Sequence, residues 1–458
     1  MTDATASQET LQDTIAALST PPGRGGIGIV RLSGPLACSI AVQLVRLARP
    51  LEPGRVRFAV VLDDEGERID EALVTYFAAP HSYTTDDLVE IAAHGSPVVL
   101  DMIVRRALTL GARLAEPGEF TQRAFLSGRL DLTQAEAVRD LIDAQTLAQA
   151  RQAAGQLDGA LSRRVLPAKQ QLVELVALLE AGIDFGEDDV DVTPPAEIAR
   201  RIQTIEPLLQ ALEASFARGR ILHDGLTLAI VGRPNAGKSS IFNRLVERDR
   251  AIVTAQAGTT RDLVSERVSL DGIPLELVDT AGLREGREEA EQIGIARSRE
   301  AMADAALVLV VLDATEALNE EEEKLLTAVH SRAALIVVNK SDLADDAHAM
   351  EALQGFEVVQ TSALTGAGIA TLREKIVRLA TGGAAAEPGM LTNLRQHQAI
   401  LNALDALGAA QGANRNSIPH EMILLDLYRA LWALDSLTGQ TTPDDILNLI
   451  FSTFCIGK

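Results

Sequence analysis

The chain has 458 residues, of which 47% are hydrophobic, so we expect about three domains with buried cores. No apolar run approaches the roughly 18–20 residues of a membrane span. The formal net charge is −22, which argues against autonomous binding of nucleic acid, because such binding needs a basic face. An RNA substrate would therefore require a local basic patch or a basic partner. The two cysteines, Cys38 and Cys455, are too few for a disulfide framework or a zinc site and indicate a reducing compartment.

The first residues, MTDATASQETLQDTIAAL, contain acids and no arginine. This composition is unlike that of a signal peptide or a transit peptide. We therefore expect a cytoplasmic protein that does not associate with membranes. The basic pairs at 105–106 and 200–201 are interpreted as ordinary faces of helices.

Residues 1–127 predict a separate α/β domain, in which short β-like runs alternate with helices. The runs are Gly28–Leu32, Phe58–Leu62, Ala72–Phe77 and Leu88–Ala92. Residues 23–28 match G-x-G-x-x-G letter for letter, but the dinucleotide fingerprint needs a strand before it and a helix after it. Here prolines precede the glycines and a strand-like run follows them, so we exclude a Rossmann site.

Helical apolar periodicity fills the chain on both sides of its middle region. It covers 130–181 and 196–216 before that region, and 394–407 and 421–437 after it. The late helices need a core, and the economical core is one that they share with the early helices. We therefore predict one helical domain built from two flanks, 128–224 and 381–458, with a domain inserted at 225–380.

The most informative segment is 226–240, LTLAIVGRPNAGKSS. A short apolar run leads into the Walker A pattern, whose glycine-rich turn can wrap a phosphate chain with backbone N–H groups. Lys238 suits the outer phosphates and Ser239 suits Mg²⁺, and the N-terminus of the following helix adds its dipole. The other predicted residues of this nucleotide-binding loop are Asn235, Ala236, Gly237 and Ser240.

Two elements that a GTPase requires follow this loop. The first is Ala257-Gly258-Thr259-Thr260-Arg261-Asp262, in which Thr260 is a candidate second Mg²⁺ ligand and γ-phosphate sensor. The second is a strand-like run ending in Asp279-Thr280-Ala281-Gly282. We expect Asp279 to hold the Mg²⁺ shell and the Gly282 amide to bond the γ-phosphate.

The specificity for the base is predicted further along. The apolar runs 307–312 and 334–338 are typical of buried parallel strands, and the second continues into Asn339-Lys340-Ser341-Asp342. Asp342 can accept hydrogen bonds from N1–H and the exocyclic amine of guanine, whereas adenine would leave it unpaired. The run 358–364 supplies the loop that flanks the base, with Ser362, Ala363 and Leu364. Together these elements predict a Ras-like α/β domain that binds GTP or GDP.

The group that catalyses hydrolysis is less evident. In Ras-like proteins a glutamine directly after the glycine of this turn positions the attacking water. Here that place is Leu283, which cannot orient water. The chain must find its water-positioning group elsewhere or in a partner. Most of the carboxylates in 284–294 are interpreted as solvated side chains of a switch loop.

Several collinear segments carry a resemblance to a known family: TPPGRGGIGIVRLSG, LDLTQAEAVRDLIDA, GRPNAGKSS, AGTTRD, DTAGLRE and the terminal FCIGK. They make the chain similar to the MnmE (TrmE) family of tRNA-modification GTPases over nearly its whole length. The resemblance implies a folate-binding N-terminal domain, a helical domain from two flanks and an inserted G domain. It also implies a homodimer whose G domains meet across the nucleotide. A flavoprotein partner, MnmG (GidA), would join it in modifying C5 of the wobble uridine of certain tRNAs.

The resemblance further implies how hydrolysis is catalysed. A potassium ion does the work that an arginine finger does elsewhere, which would answer the problem posed by Leu283. Its implied ligands are Asn235, Thr254, Gln256 and Thr259, with Ala255 in the same nucleotide-binding switch. The implied Mg²⁺ ligands are Ser239 and Thr260. Glu291 matches the residue that orients the attacking water, and dimerisation would order its loop.

For the N-terminal domain the resemblance implies a tetrahydrofolate derivative, either 5-formyl- or 5,10-methylene-tetrahydrofolate. Its implied ligands are Arg31, Glu90, Arg129 and Lys458. Basic side chains suit the glutamyl carboxylate, and a carboxylate suits the N–H donors of the pterin. Arg129 stands where the family has lysine, so charge is kept but geometry is not. Cys455 matches the family cysteine and is a candidate catalytic residue whose chemical role stays open.

Two other functions stay open at this point. One is a ribosome-assembly GTPase resembling Era or EngA, which would share the AGTTRD-like switch but carry an RNA-binding module instead of the PPGRGGIG segment. The other is a non-catalytic scaffold in which the nucleotide only sets conformation. The presence of Asp279, Thr260 and Glu291 argues against the scaffold.

Overall fold

The computed structural model describes residues 13–184, 193–246, 265–279, 305–343, 353–383, 387–440 and 457. Within these ranges the chain packs as two units. One contains the residues up to Arg139 together with 435–440 and 457, and the other contains the residues from Asp140 to Leu434. No helix in the described ranges is long and apolar enough to cross a membrane.

The first unit is built on a seven-stranded sheet. Its strands are β1 (Ile15–Leu18), β2 (Gly25–Ser33), β3 (Val45–Leu47), β4 (Val56–Leu62), β5 (Arg68–Phe77), β6 (Leu88–Gly95) and β7 (Arg113–Leu114). They lie in the order β3-β4-β5-β6-β2-β1-β7. Neighbours are antiparallel, except that β1 and β7 are parallel. All four predicted β-like runs are strands of this sheet, so the predicted α/β domain is confirmed.

The described residues of this unit also form the helices α1 (Ala37–Leu44), α2 (Pro97–Thr109) and α3 (Glu119–Leu126). The first two pack against the sheet and bury Ile40, Leu44 and Ile103. The G-x-G-x-x-G letters run into the strand β2 and do not open a helix, which agrees with the strand-like run expected after the glycines. A Cβ on Gly28 would lie 2.3 Å from Leu100 Cδ1. Glycine at this position therefore lets α2 approach the sheet closely.

The early helices that lead to the second unit are α4 (Leu132–Asp143), α5 (Leu147–Leu157), α6 (Ala160–Asp184), α7 (Pro195–Glu213) and α8 (Phe216–Asp224). The first of these begins in the first unit. Thr146 starts α5 with a capping box, in which Thr146 and Gln149 satisfy each other's backbone N–H groups. The predicted helical run 130–181 is thus three helices, separated where short turns interrupt it.

The predicted GTP-binding region, 225–380, here called the G region, follows with a six-stranded sheet. Its strands are β8 (Leu226–Val231), β9 (Ser265–Leu270), β10 (Ile273–Asp279), β11 (Leu307–Asp313), β12 (Ala334–Asn339) and β13 (Val358–Gln360), in the order β13-β12-β11-β8-β10-β9. Only β9 is antiparallel to its neighbour. Every residue of β11 is buried, as its continuous apolar run predicts. Among its described residues, this region has the helices α9 (Lys238–Val246), α10 (Glu320–Val329) and α11 (Ile369–Thr381).

Two late helices, α12 (Leu394–Arg415) and α13 (His420–Thr438), return to the early ones. The rings of Phe216 and His397 stack with centroids 3.9 Å apart, and Asn414 Nδ2 donates to the Pro195 carbonyl at 2.8 Å. Tyr428 on α13 donates to Glu180 on α6. Helices from both flanks therefore share one core, as predicted. The residue boundaries of the four predicted segments stay a prediction.

The chain enters the G region through an ion-paired histidine at the end of α8. His223 Nε2 lies 3.0 Å from Asp140 Oδ1, and its Nδ1 lies 2.7 Å from Asp224 Oδ1. Hydrogen bonds to Asp140 and Asp224 raise the pKa of His223 to about 10. The imidazolium is therefore charged at neutral pH and ties the last turn of α8 to α4, directly before β8.

Candidate functional site

The loop between β8 and α9 has the backbone shape that the Walker A pattern predicts. Gly232 has a φ of +145°, and a Cβ there would lie 2.2 Å from the Val311 carbonyl oxygen on β11. Gly237 has a φ of +96°, and its Cβ would lie 2.1 Å from Asn339 Nδ2. Two close approaches thus require glycine at both glycine positions of the Walker A pattern. Asn235, at a φ of +63°, and the buried Ala236 lie between them.

Lys238 is the first residue of α9, and its amine is held over this loop. Its Nζ donates to the carbonyls of Gly232 and Arg233, both at 2.8 Å. Ser239 and Ser240 follow in the first turn of the helix and are exposed. The N–H groups of a first helical turn have no partner within the helix. An ammonium group, two hydroxyls and a helix N-terminus therefore converge on a site suited to phosphate.

Asn339, at the end of β12, connects this loop to the predicted base-binding side. Its Nδ2 donates to the Ala236 carbonyl at 3.0 Å, and its Oδ1 accepts from the Ala363 N–H at 3.0 Å. The side chain is 2% exposed. Since Ala236, Asn339 and Ala363 are far apart in sequence, this one amide links the loop after β8 to the loop after β13.

The residues after Asn339 form a tight turn. Lys340 has a φ of +62°, and the Leu343 N–H donates to its carbonyl at 3.0 Å. Lys340 Nζ donates to Asp313 Oδ2 at 2.6 Å. Burial of Asp313 would raise its pKa, but the hydrogen bonds from Lys340 and Thr315 outweigh this and lower it. The Asp342 carboxylate is exposed on this turn and is available to a base.

The predicted base-flanking residues follow β13 in a compact loop. The Ser341 N–H donates to the Thr361 carbonyl at 3.1 Å, and the Thr365 N–H donates to Ser362 Oγ at 3.1 Å. Ser362 and Ala363 are buried, whereas the Leu364 side chain is 78% exposed. The loop therefore lies directly beside the turn that carries Asp342.

Sequence reasoning missed a charged cluster that holds Arg233, the residue after Gly232. Its guanidinium lies 2.8 Å from Glu316 and 3.4 Å from Glu322, and 4.0 Å from Asp313. Glu322 also belongs to the capping box that starts α10. Nothing in the local sequence pairs these residues, because their partners are supplied by the packing of α10 beside β11.

The other predicted nucleotide and metal residues lie outside the described residues. They are Thr254, Ala255, Gln256, Ala257, Gly258, Thr259, Thr260, Thr280, Ala281, Gly282 and Glu291. Asp279 is the last residue of β10, which pairs with β8. The structure describes its backbone but not its side chain. Among the described residues no group of three or more His, Cys, Asp or Glu side chains could hold a metal ion.

The first unit contains a second candidate site, beside β2 and β6. Arg31 donates from Nη2 and Nε to Glu90 Oε1 at 2.7 and 3.0 Å, and from Nη1 to the Gly457 carbonyl at 3.3 Å. The guanidinium carbons of Arg31 and Arg129 lie 5.8 and 5.3 Å from the centre of the Tyr83 ring. The structure thus brings three of the four predicted folate ligands around one aromatic ring. The fourth, Lys458, lies outside the described residues, as does Cys455.

Beside them lies a cavity of about 550 Å³, lined by Phe77, Pro80, His81, Ser82, Tyr83, Thr85, Leu88, Glu90 and Arg129. Arg31 does not line it but is paired with Glu90, which does. The size of the cavity is within the range of small-molecule sites. Burial raises the pKa of the Tyr83 phenol, which bonds Thr121 at 3.0 Å. Ser82 Oγ is buried and has no hydrogen-bond partner among the described residues. A buried orphan hydroxyl in the wall of a cavity fits a polar ligand.

Comparison with known proteins places nearly the whole chain in one family. The family model described as "MnmE helical domain" matches residues 132–455, and the one described as "GTP-binding protein TrmE N-terminus" matches 14–129. A tRNA modification GTPase MnmE of Koribacter versatilis (strain Ellin345) is 60% identical over 454 residues, covering 98% of this chain and 100% of the relative. The corresponding protein of Aquifex aeolicus (strain VF5) is 39% identical over 449 residues, with the same coverage.

Among solved structures, the G domain of the T. maritima FeoB iron transporter is 28% identical to this chain. It covers 34% of this chain and 98% of its own length, with a TM-score of 0.26. At that score the likeness carries no argument about the fold. The whole-chain matches to the bacterial relatives are the informative ones.

Proposed function

The chain belongs to the MnmE (TrmE) family, and on that premise we propose that it is, like the relatives named above, a GTPase that takes part in tRNA modification. The observation that supports this best is the Asn339 side chain, which joins the Ala236 carbonyl of the phosphate loop to the Ala363 amide of the base-flanking loop. A guanine nucleotide needs both halves at a fixed spacing. The ribosome-assembly alternative leaves the match at 14–129 unexplained.

The described residues fit Mg²⁺ and a nucleotide by the chemistry of their donors. Lys238 would contact the outer phosphates, and the Ser239 hydroxyl, exposed in the first turn of α9, would ligate Mg²⁺ with Thr260. Mg²⁺ would neutralise phosphate charge. In the same proposal, Asp279 holds the Mg²⁺ shell and Asp342 reads the base. The predicted switch residues, from Thr254 to Thr260 with Thr280, Ala281 and Gly282, are proposed to contact the nucleotide.

For catalysis we propose a potassium ion held by Asn235 together with Thr254, Gln256 and Thr259. Asn235 fits this role because its left-handed backbone conformation places it at the exposed tip of the phosphate loop. The ion would supply positive charge where an arginine finger acts in other GTPases. In this proposal Glu291 orients the attacking water, and the homodimer is the active form.

GTP hydrolysis by the purified protein should be at least about tenfold faster in KCl than in NaCl at equal ionic strength. The cation stabilises charge that develops on the phosphates, and Na⁺ suits a site of different size. The rate of phosphate release in the two salts, at saturating GTP and Mg²⁺, measures this. Asn235→Ala should remove most of the difference between the salts. Equal rates in both salts for the unaltered protein would contradict the potassium site but leave the GTP site standing.

The first unit is proposed to bind a tetrahydrofolate derivative, 5-formyl- or 5,10-methylene-tetrahydrofolate, in the cavity beside Tyr83. Arg31, with Arg129 and Lys458, offers positive charge to the glutamyl carboxylate, and Glu90 offers a carboxylate to the pterin N–H groups. The exposed part of the Tyr83 ring and the orphan Ser82 hydroxyl are further groups for the ligand. Folate would supply the one-carbon unit.

Arg31→Ala should weaken the binding of 5-formyl-tetrahydrofolate by about ten- to a hundredfold, as expected for a lost charge-assisted hydrogen bond. GTP hydrolysis should not change. Titration calorimetry measures the affinity. Arg57→Ala is the matched control, because Arg57 is also a paired arginine of this sheet, with a side chain 16% exposed against 15% for Arg31. Unchanged folate affinity in Arg31→Ala would contradict the assignment of this cavity.

The partners follow from the same family premise. We propose a cytoplasmic homodimer that acts with the flavoprotein MnmG on C5 of the wobble uridine of certain tRNAs. The net charge of −22 supports joint binding of tRNA by the two proteins, since the flavoprotein can supply the basic surface that tRNA requires. The basic pairs on α2 and α7 do not offer one. Arg105 pairs with Asp101, and Arg200 and Arg201 both pair with Glu197. Cys455 remains the candidate for a chemical role in the modification.

A further inference from the structure

Arg244 connects the helix of the phosphate loop to the base-flanking loop. It lies on α9, and its half-buried guanidinium points across to the residues after β13. Arg244 Nε donates to the Ala363 carbonyl at 2.7 Å, and its Nη2 donates to the Leu364 carbonyl at 2.7 Å. Two successive peptide groups are thus held by one planar side chain.

The same loop is held from its other side by the residues that lead to Asp342. Asn339 Oδ1 accepts from the Ala363 N–H at 3.0 Å. The Ser341 N–H donates to the Thr361 carbonyl at 3.1 Å. The peptide groups on both sides of the Ala363 Cα are therefore fixed, one through the N–H by Asn339 and the next through the carbonyl by Arg244. Among these contacts, the Leu364 carbonyl accepts a hydrogen bond from Arg244 alone. The Leu364 side chain is exposed.

We propose that Arg244 is a positioning residue for guanine recognition. It acts through the base-flanking loop and does not touch the nucleotide. The inference rests on the proposed function, because it specifies how that same site orders the loop beside the base. With Arg244 in place, the N–H groups of Ala363 and Leu364 keep one orientation before the nucleotide arrives, so binding needs less ordering of the loop.

The chemistry of arginine suits this task better than that of lysine. Its guanidinium is planar and presents N–H groups in a fixed fork, whereas an ammonium group is a point charge on a flexible stem. Arg244→Lys can retain one of the two carbonyl contacts, and Arg244→Met keeps the length and apolar stem while losing both. Comparing the two variants therefore separates the contribution of charge to the loop contacts from that of bidentate geometry.

The experiment compares two probes by calorimetry in the presence of Mg²⁺: GDP, which uses both halves of the site, and inorganic pyrophosphate, which uses only the phosphate loop. In Arg244→Met we expect the Kd for GDP to rise about tenfold, with a rise of about threefold in Arg244→Lys. The Kd for pyrophosphate should change less than about twofold in both. Arg378→Met, which removes an exposed arginine paired with Glu357 on the same region, should leave both constants unchanged.

Three outcomes would overturn the inference or its premise. Unchanged GDP affinity in Arg244→Met, or equal weakening of GDP and pyrophosphate in both variants, would show that Arg244 does not position the base-flanking loop. If Arg244→Met fails to fold, as judged by thermal unfolding, the Arg244→Lys comparison decides alone. If the unaltered protein does not prefer GDP to ADP, the proposed GTPase function fails first.

Discussion

Asp342→Asn should change the nucleotide preference of this GTPase from guanine to xanthine. The carboxylate accepts from N1–H and the 2-amino group of guanine, whereas an amide can accept from only one of them and would face the other with its own N–H₂. Xanthine carries an oxygen at position 2, which accepts that hydrogen bond. An unpaired buried polar group costs free energy. The ratio of the affinity for GTP to the affinity for XTP should therefore fall by about 10³-fold or more.

The measurement is the Kd for GDP and for XDP in both proteins, with hydrolysis of GTP and XTP as a second readout. Glu321→Gln is a matched acid-to-amide control, since Glu321 is an exposed carboxylate on α10. It should leave the preference for guanine intact. Retention of guanine preference in Asp342→Asn would show that the base is read elsewhere, and would remove the main argument from sequence for GTP over ATP.

Much of the architecture was predictable, because the signals are local. The buried strands β11 and β12 are continuous apolar runs, and the turns after β8 and β12 carry the glycines and polar residues that phosphate and base binding need. The shared helical core was predictable for a different reason, since the late helices had no other core to join. The strand that follows the N-terminal glycine motif was predictable from the apolar run after the glycines.

The contacts that hold the sites together were not predictable in the same way. Arg244 meets Ala363 across 119 residues, and Asn339 meets Ala236 across 103. Such pairs depend on which helix lies beside which strand end, and the pattern of a single sequence does not encode this. The two-residue strand β7 and the orphan Ser82 hydroxyl belong to the same class. Tertiary packing creates them, so only the structure reveals them.

Gly232→Ala should destabilise the G region severely, by about 3 kcal/mol or more, and abolish nucleotide binding at ordinary concentrations. A left-handed backbone costs about 1–2 kcal/mol for a residue with a Cβ. The added methyl group would also lie 2.2 Å from the Val311 carbonyl oxygen, and overpacking of this kind adds about 1–3 kcal/mol. Since β8 and β11 are paired up to Val231 and Val310, the clash can be relieved only by moving the strand end that carries the phosphate loop.

The control for this prediction is Gly355→Ala, which separates backbone strain from the clash. Gly355 has a φ of +92°, and a Cβ there would meet no atom within 4 Å. It should therefore cost only the strain, about 1–2 kcal/mol, and leave GDP binding unchanged. Urea unfolding gives both free energies. Equal losses in the two variants would mean that the approach of the phosphate loop to β11 relaxes without cost. In that case glycine at 232 would be required by the nucleotide and not by the fold.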